Sequence, residues 1–228
     1  AIIERGVFRK CDNPFIVKIH FAFDTESKIY LGLEYVGGGN LQHHMEEEGK
    51  TLPMSDIKLY LAEVAIAVNY LHQKGIIYRD LKCSNILLDY EGHIKLTDFG
   101  LSAFFEDPTV SNTTNSFVGT PECIPPEMIQ RYPYSYEVDW WQYGILAYEL
   151  IFKEKPFRHP NNNKLFENIC TTNPIFPFDR SNSSNKLGLV HSKSLTASEL
   201  QRKATKIRKD SNTHHHSKYS MSNFNQNS

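Results

Sequence analysis

The octapeptide Tyr78-Arg79-Asp80-Leu81-Lys82-Cys83-Ser84-Asn85 carries side chains that could move a phosphate. It places a carboxylate two residues before an ammonium and five before a carboxamide, and Asp98-Phe99-Gly100 follows 13 residues after Asn85. Asp80 falls in a loop between short apolar runs. Two of these runs, Ile86 to Leu88 and Ile94 to Leu96, are joined through Tyr90-Glu91-Gly92 and predict a hairpin that returns Asp98 beside Asn85. The result is a carboxylate free to accept a proton, a cation for phosphate oxygens and an Asn/Asp pair suited to a hard divalent metal. Such a set serves in-line phosphoryl transfer, in which positioning and charge neutralisation do nearly everything. Asp-Phe-Gly alone recurs by chance. The two blocks at this separation are the informative feature. Taken singly, Asp80 reads equally as a turn residue, Asn85 as an Asx cap and Glu34 as a solvated strand end.

The elements that must hold these residues follow from periodicity. Ile2 to Lys10 reads as the end of a helix stopped at Asn13-Pro14. Phe15 to Phe23 alternates as a period-two strand, and Ile29 to Tyr35 forms a second. Gly37-Gly38-Gly39 breaks the chain before a short helix, Asn40 to Glu48. Ser55 is the expected N-cap of a long helix with Ile57, Tyr60, Leu61, Val64, Val68 and Leu71 on one face and Gly75 as terminator. Glu137 to Phe152, apolar nearly all round, predicts a buried helix, and a weaker one covers Lys164 to Cys170. Two strands followed mainly by helices describe an α+β enzyme lobe.

Composition bounds the rest. The chain has 228 residues, 40% of them hydrophobic, with 25 basic against 26 acidic side chains. Its mean hydropathy is −0.46, as expected of a soluble globular protein. No uncharged apolar run approaches the ~20 residues of a membrane span, so none is expected, and the N-terminus lacks a signal-peptide pattern. The near-zero net charge is a cancellation. From residue 181 onward there are eight Lys/Arg and two Asp/Glu, leaving 17 basic and 24 acidic groups in the first 180 residues. This Ser/Asn-rich basic stretch reads as a disordered, solvated extension without a groove-reading motif, so no nucleic-acid partner is expected. Cysteines 11, 83, 123 and 170 are widely spaced, which points to a reducing, intracellular setting, cytoplasm or nucleus.

On these residues the chain resembles the eukaryotic protein kinases, and within them the AGC group of basophilic Ser/Thr kinases. The likeness runs from about Glu4 to Pro177 and includes Tyr78 in place of the usual His, Gly119-Thr120-Pro121-Glu122, and Val138-Asp139-Trp140-Trp141. The resemblance implies a partial small lobe over 1–36 (the end of helix C and two strands). It implies a mainly helical large lobe over 37–178, lacking its last helices, before the tail at 179–228. It implies Asp80 as catalytic base, Lys82 on the transferred phosphate, and Asn85 and Asp98 as ligands of Mg2+. Leu33 becomes the gatekeeper, Glu34 and Val36 the hinge that binds the adenine of ATP, and Leu87 the floor beneath it. Lys82 and Thr120 point to Ser/Thr acceptors on protein substrates. Ser116 takes the place of the activation-loop phosphoacceptor, a target for an upstream kinase, with Arg79 as its cationic partner. Phe8, Ile19, Tyr78 and Phe99 match a stacked regulatory core, and Asp139 is expected to accept backbone hydrogen bonds from the catalytic loop.

Departures from the family pattern are equally specific. Glu4 aligns with the helix-C Glu, whose partner Lys belongs before residue 1 together with the Gly-rich phosphate loop. Losing one charge-assisted contact costs about 1.5–3 kcal/mol, so the chain as written is expected to be a very poor kinase. Pro125-Pro126-Glu127 stands where Ala-Pro-Glu is usual, and the partner of Glu127 is expected in helices beyond Pro177. Asn40 and Ser84 replace acidic residues that read basic substrates, while Glu122 and Glu149 remain as substrate-binding carboxylates. Two readings result: the catalytic region of a Ser/Thr kinase shortened at both ends, or a non-catalytic kinase-like module that binds partners. Retention of Asp80, Lys82, Asn85 and Asp98 favours the first.

Overall fold

The computed structural model describes residues 6–7, 10–47, 52–105 and 113–177. Glu4, Phe8 and the segment 179–228 lie outside the described residues. Gly6, Val7 and Lys10 are helical, in keeping with the predicted helix end.

Strand β1 (Ile19–Asp24) pairs antiparallel with β2 (Ile29–Leu33). The predicted strand beginning at Phe15 is therefore half right. Its first residues pair elsewhere: Val17 N–H donates to Leu96 O at 2.9 Å, and Leu96 N–H to Phe15 O at 2.9 Å. Ile16 and Val17 are both buried, which a single alternating face cannot accommodate. The pairing slips again between Ile19 and Phe21. β2 ends at Leu33, two residues short of the predicted Tyr35.

Helix α1 (Leu41–Glu46) starts where the Asn40 side chain accepts the His43 N–H. Helix α2 (Met54–Gln73) differs at its start from the sequence expectation. Ser55 lies inside it and donates to Asp56, while the Pro53 carbonyl takes the first amides, those of Asp56 and Ile57. Its end is as expected: Gly75 has φ +76°, a conformation costly to any residue with a Cβ. Strand β3 (Ile76–Ile77) pairs with β6 (Ala103–Phe104), and β4 (Ile86–Leu88) with β5 (Ile94–Leu96) as the predicted hairpin. After the short α3 (Pro126–Ile129) come α4 (Glu137–Phe152) and α5 (Asn162–Thr171), the latter capped by the Asn161 side chain.

The main core joins Ile57, Val64, Val68 and Leu71 of α2 to Ile86, Ile94 and Leu96 of the hairpin, and to Leu146 and Leu150 of α4. The α+β class is as expected. One expectation fails: α4 is not buried all round, because Trp140 and Ile151 lie open to solvent. A contiguous apolar sequence marked the helix but not how many of its sides are covered. No described helix is long and apolar enough to cross a membrane.

Candidate active site

The loop between β3 and β4 is bolted to α4. Asp139, fully buried, accepts the N–H groups of Tyr78 (2.9 Å) and Arg79 (2.7 Å) and pairs with the His72 ring at 2.8 Å. Gln142, one turn on, accepts the Leu81 N–H at 2.9 Å and donates to Arg79 O at 2.8 Å. These four backbone contacts fix the peptide units on either side of Asp80. Arg79 takes φ 68°, which directs the loop around the turn. Sequence reasoning identified Asp139 and missed Gln142. The offset of three between them, on one helix face, was the available signal.

Asp80 is buried and hydrogen-bonded on both oxygens. Its Oδ2 accepts from Lys82 Nζ at 2.8 Å and Asn85 Nδ2 at 2.9 Å, and its Oδ1 from Thr120 Oγ1 at 3.1 Å. Lys82 Nζ also reaches Thr120 Oγ1 at 3.0 Å. Asp80, Lys82, Asn85 and Thr120 are thus brought together around one carboxylate, with Thr120 and Lys82 only partly covered.

Asp98 returns beside this group because the Thr97 N–H donates to Asn85 O at 3.1 Å. Its Oδ1 accepts from Gly100 N–H at 3.2 Å and its backbone takes φ 56°. The Asn85 amide nitrogen is held by Asp80 O and Oδ2, which assigns the carbonyl oxygen to the remaining side of the side chain. Asn85 and Asp98 therefore offer one amide oxygen and a carboxylate with an oxygen to spare. That hard, oxygen-only donor set suits a magnesium ion that keeps most of its shell for phosphate and water. No described group of three or more His, Cys, Asp or Glu residues forms a metal cage.

Tyr78 stacks edge-on with Phe99 at 5.2 Å, and Ile19 packs against the same core. Burial foremost, then the Asp80 and Asp98 carboxylates, push the Tyr78 phenol well above its usual range. It therefore stays neutral, and its hydroxyl donates to Thr97 O.

Leu33, Val36 and Leu87 pack against one buried cluster. Glu34 forms an ion pair with Lys95 at 2.9 Å, and its amide donates to Lys18 O. Next to them Gly38 N–H donates to Leu88 O, and a Cβ at Gly38 would lie 2.4 Å from that oxygen. Close approach to β4 thus accounts for Gly38, and a φ of +77° for Gly39. Glu4 lies outside the described residues.

Arg79 does not reach the Ser116 side chain. Its guanidinium donates to Leu101 O, Ser102 O and Tyr134 Oη, and the Tyr134 hydroxyl donates to Ser116 O at 2.6 Å. The Ser116 hydroxyl lies 3.2 Å from Thr114 Oγ1 and is exposed. Tyr134, fully buried between Arg79 and Ser116, was missed by sequence reasoning. No ion pair reaches Glu127 among the described residues.

Glu122 lies in the turn Pro121–Cys123, two residues after Thr120, and pairs with Lys155 at 3.8 Å. Glu149 Oε2 is 3.7 Å from Cys83 Sγ. Burial raises the Glu149 carboxyl, against the pull of Lys155, the Cys83 hydrogen bond and Arg158. Burial also raises the Cys123 thiol to about 12, so it is inert near neutrality. The four cysteines are free thiols. Lys155 and Arg158, not singled out from sequence, line the same cleft as Glu122 and Glu149.

A family profile for the protein kinase domain matches residues 1–216. The chain is 46% identical over 155 residues to the zeta-type protein kinase C of Oryctolagus cuniculus, covering 68% of this chain and 26% of that protein. Identity to the atypical protein kinase C of Drosophila melanogaster is 45% over 155 residues, 68% of this chain and 25% of that protein. A protein-kinase-C-like protein of Saccharomyces cerevisiae matches at 39% over 182 residues, 78% of this chain and 16% of its own length. The chain thus spans between about a sixth and a quarter of the length of these relatives.

Proposed function

Because the chain belongs to the protein kinase family, we propose that it carries the phosphoryl-transfer centre of a Ser/Thr protein kinase, with ATP as donor and a protein hydroxyl as acceptor. The observation that carries this reading is the bonded set at Asp80, in which Lys82, Asn85 and Thr120 converge on one carboxylate. Asp80 takes the acceptor's proton once Thr120 yields Oδ1 to the incoming hydroxyl. Lys82, on the exposed side of the set, turns from Asp80 towards phosphate oxygens. Asn85 and Asp98 would hold Mg2+, which supplies charge neutralisation at the phosphates. Leu33, Glu34, Val36 and Leu87 would receive the adenine, with Glu4 on the phosphate side, and Glu122 and Glu149 line the substrate cleft. Phosphorylation of Ser116 by an upstream kinase would add a charge of about −1.5 to −2 near Tyr134 and Arg79 and redirect the guanidinium.

The test is a magnesium-dependent thermal shift with ATP, alongside transfer of γ-phosphate to a mixed peptide pool. The wild-type chain is expected to shift with ATP and Mg2+ together. Asp98→Asn is expected to lose the magnesium requirement and most of the shift. A wild-type chain indifferent to nucleotide at millimolar concentration supports the non-catalytic scaffold instead.

A further inference from the structure

The walls proposed to receive adenine come from two separate pieces of chain. Leu33 ends β2 and Glu34 follows it, whereas Leu87 belongs to the β4–β5 hairpin that Asn85 and Asp98 flank. A base held between them needs the two pieces at a fixed separation. Backbone bonds stitch two edges of this joint. Gly38 N–H donates to Leu88 O and Leu88 N–H to Gly39 O, while Phe15 and Val17 bond to Leu96.

Lys95 adds a side-chain link to these seams. It lies directly opposite Leu87 in the β4–β5 ladder, so both side chains project from one face of the hairpin. Its ammonium donates to Glu34 Oε1 at 2.9 Å and to Pro14 O at 3.1 Å. The same Glu34 oxygen accepts the Lys18 N–H at 2.7 Å, and the Glu34 N–H donates to Lys18 O at 2.8 Å. One cation thus gathers the turn before β1, the end of β2 and the hairpin. The Lys95 and Glu34 side chains are only 17% and 24% exposed, so water and salt screen them less than a surface pair. The amide bond to Lys18 fixes the carboxylate's orientation as well. The contacts to Pro14 and Lys18 serve stability whatever the chain binds. The position opposite Leu87 is what directs the inference to the nucleotide, because the cation then spans from the floor of the proposed adenine cleft to its rim.

We propose that Lys95 is a positioning residue for the nucleotide: through Glu34 it sets the adenine-binding end of β2 against Leu87. The proposal rests on the kinase reading and adds to it a residue outside the bonded set at Asp80.

The experiment measures the affinity of the whole chain for ATP with Mg2+, for adenosine and for inorganic tripolyphosphate by calorimetry, alongside the melting temperature. Lys95→Met keeps the aliphatic stem and removes the cation. It is expected to weaken ATP and adenosine alike, about three- to tenfold, and to leave tripolyphosphate within about twofold. Lys95→Arg should restore adenosine affinity to within about twofold of wild type. Glu34→Gln retains an acceptor for the Lys18 N–H, and its loss should not add to that of Lys95→Met in the double variant, because both cut one link. Additive losses, or equal weakening of all three ligands, would overturn the proposal. A lower melting temperature with unchanged adenosine affinity would do the same, leaving the pair a structural tie only. Amide exchange at Lys18 reads the link without nucleotide. It should quicken about threefold or more in Lys95→Met, and unchanged exchange also overturns the proposal. Failure of the kinase reading looks different: the wild-type chain binds none of the three ligands while the Lys18 amide still responds to Lys95→Met, and the nucleotide role of Lys95 then falls with that reading.

Discussion

At the scale of single residues, Thr120 is the hinge of the active group. Its hydroxyl donates to Asp80 and accepts from Lys82, so it holds the carboxylate and ammonium in one orientation. Thr120→Val keeps the shape and removes both bonds, each worth about 0.5–3 kcal/mol depending on charge. Phosphoryl transfer should fall about tenfold to a hundredfold, while nucleotide affinity, measured by calorimetry, stays within about twofold. Glu149 offers a test of electrostatics. Its carboxyl is raised by burial, so the folded chain holds that proton more tightly than the unfolded chain does. The stability it contributes is present at acid pH and is lost as pH rises from the ordinary carboxyl range through the raised value. Glu149→Gln should flatten that part of the melting-temperature profile and raise the melting temperature at neutral pH. An unchanged slope between pH 4 and 7 would refute the assignment.

At the scale of elements, the loop is only as firm as its attachment to α4. Gln142→Leu would leave the buried Leu81 N–H and Arg79 C=O without partners, at about 1–3 kcal/mol each. Urea unfolding should show a loss of about 2–5 kcal/mol, with a larger fractional loss of transfer activity than of nucleotide binding. Much of this arrangement was legible beforehand. The β4–β5 hairpin that returns Asp98, the helix ending at Gly75 and the role of Asp139 all follow from local pattern or family likeness. Other features depended on partners distant in the chain. Phe15 to Val17 had the alternation of a strand, yet their hydrogen bonds go to Leu96, about 80 residues on. Tyr134 and Gln142 look like ordinary members of apolar or helical stretches until the fold brings them against Arg79. Lys155 and Arg158 read as solvated charges until Glu122 and Glu149 appear opposite them.

At the scale of the whole molecule, two apolar faces stay open among the described residues, and they differ in kind. On the β1–β2 ribbon, Phe21 (60% exposed), Phe23 (51%) and Tyr30 form a stack with ring centroids 6.3 and 4.9 Å apart. Those rings shield one another, and a two-stranded ribbon is marginal alone. On the outer side of α4, Trp140 (41% exposed) and Ile151 (42%) flank a groove of about 400 Å³ that continues to Pro174 and Phe176. The groove wall belongs to the helix whose inner side is bonded to the Tyr78–Leu81 loop through Asp139 and Gln142. A contiguous concave apolar face is the stronger site for non-specific association. Ile151→Glu should therefore lower fluorescent apolar-dye binding and concentration-dependent light scattering more than Phe21→Ser does. Because Ile151 is only partly covered, its replacement should cost no more than about 1–2 kcal/mol of stability, and transfer activity should persist. If Phe21→Ser abolishes scattering and Ile151→Glu leaves it unchanged, the ribbon governs association, and the α4 groove is covered in solution.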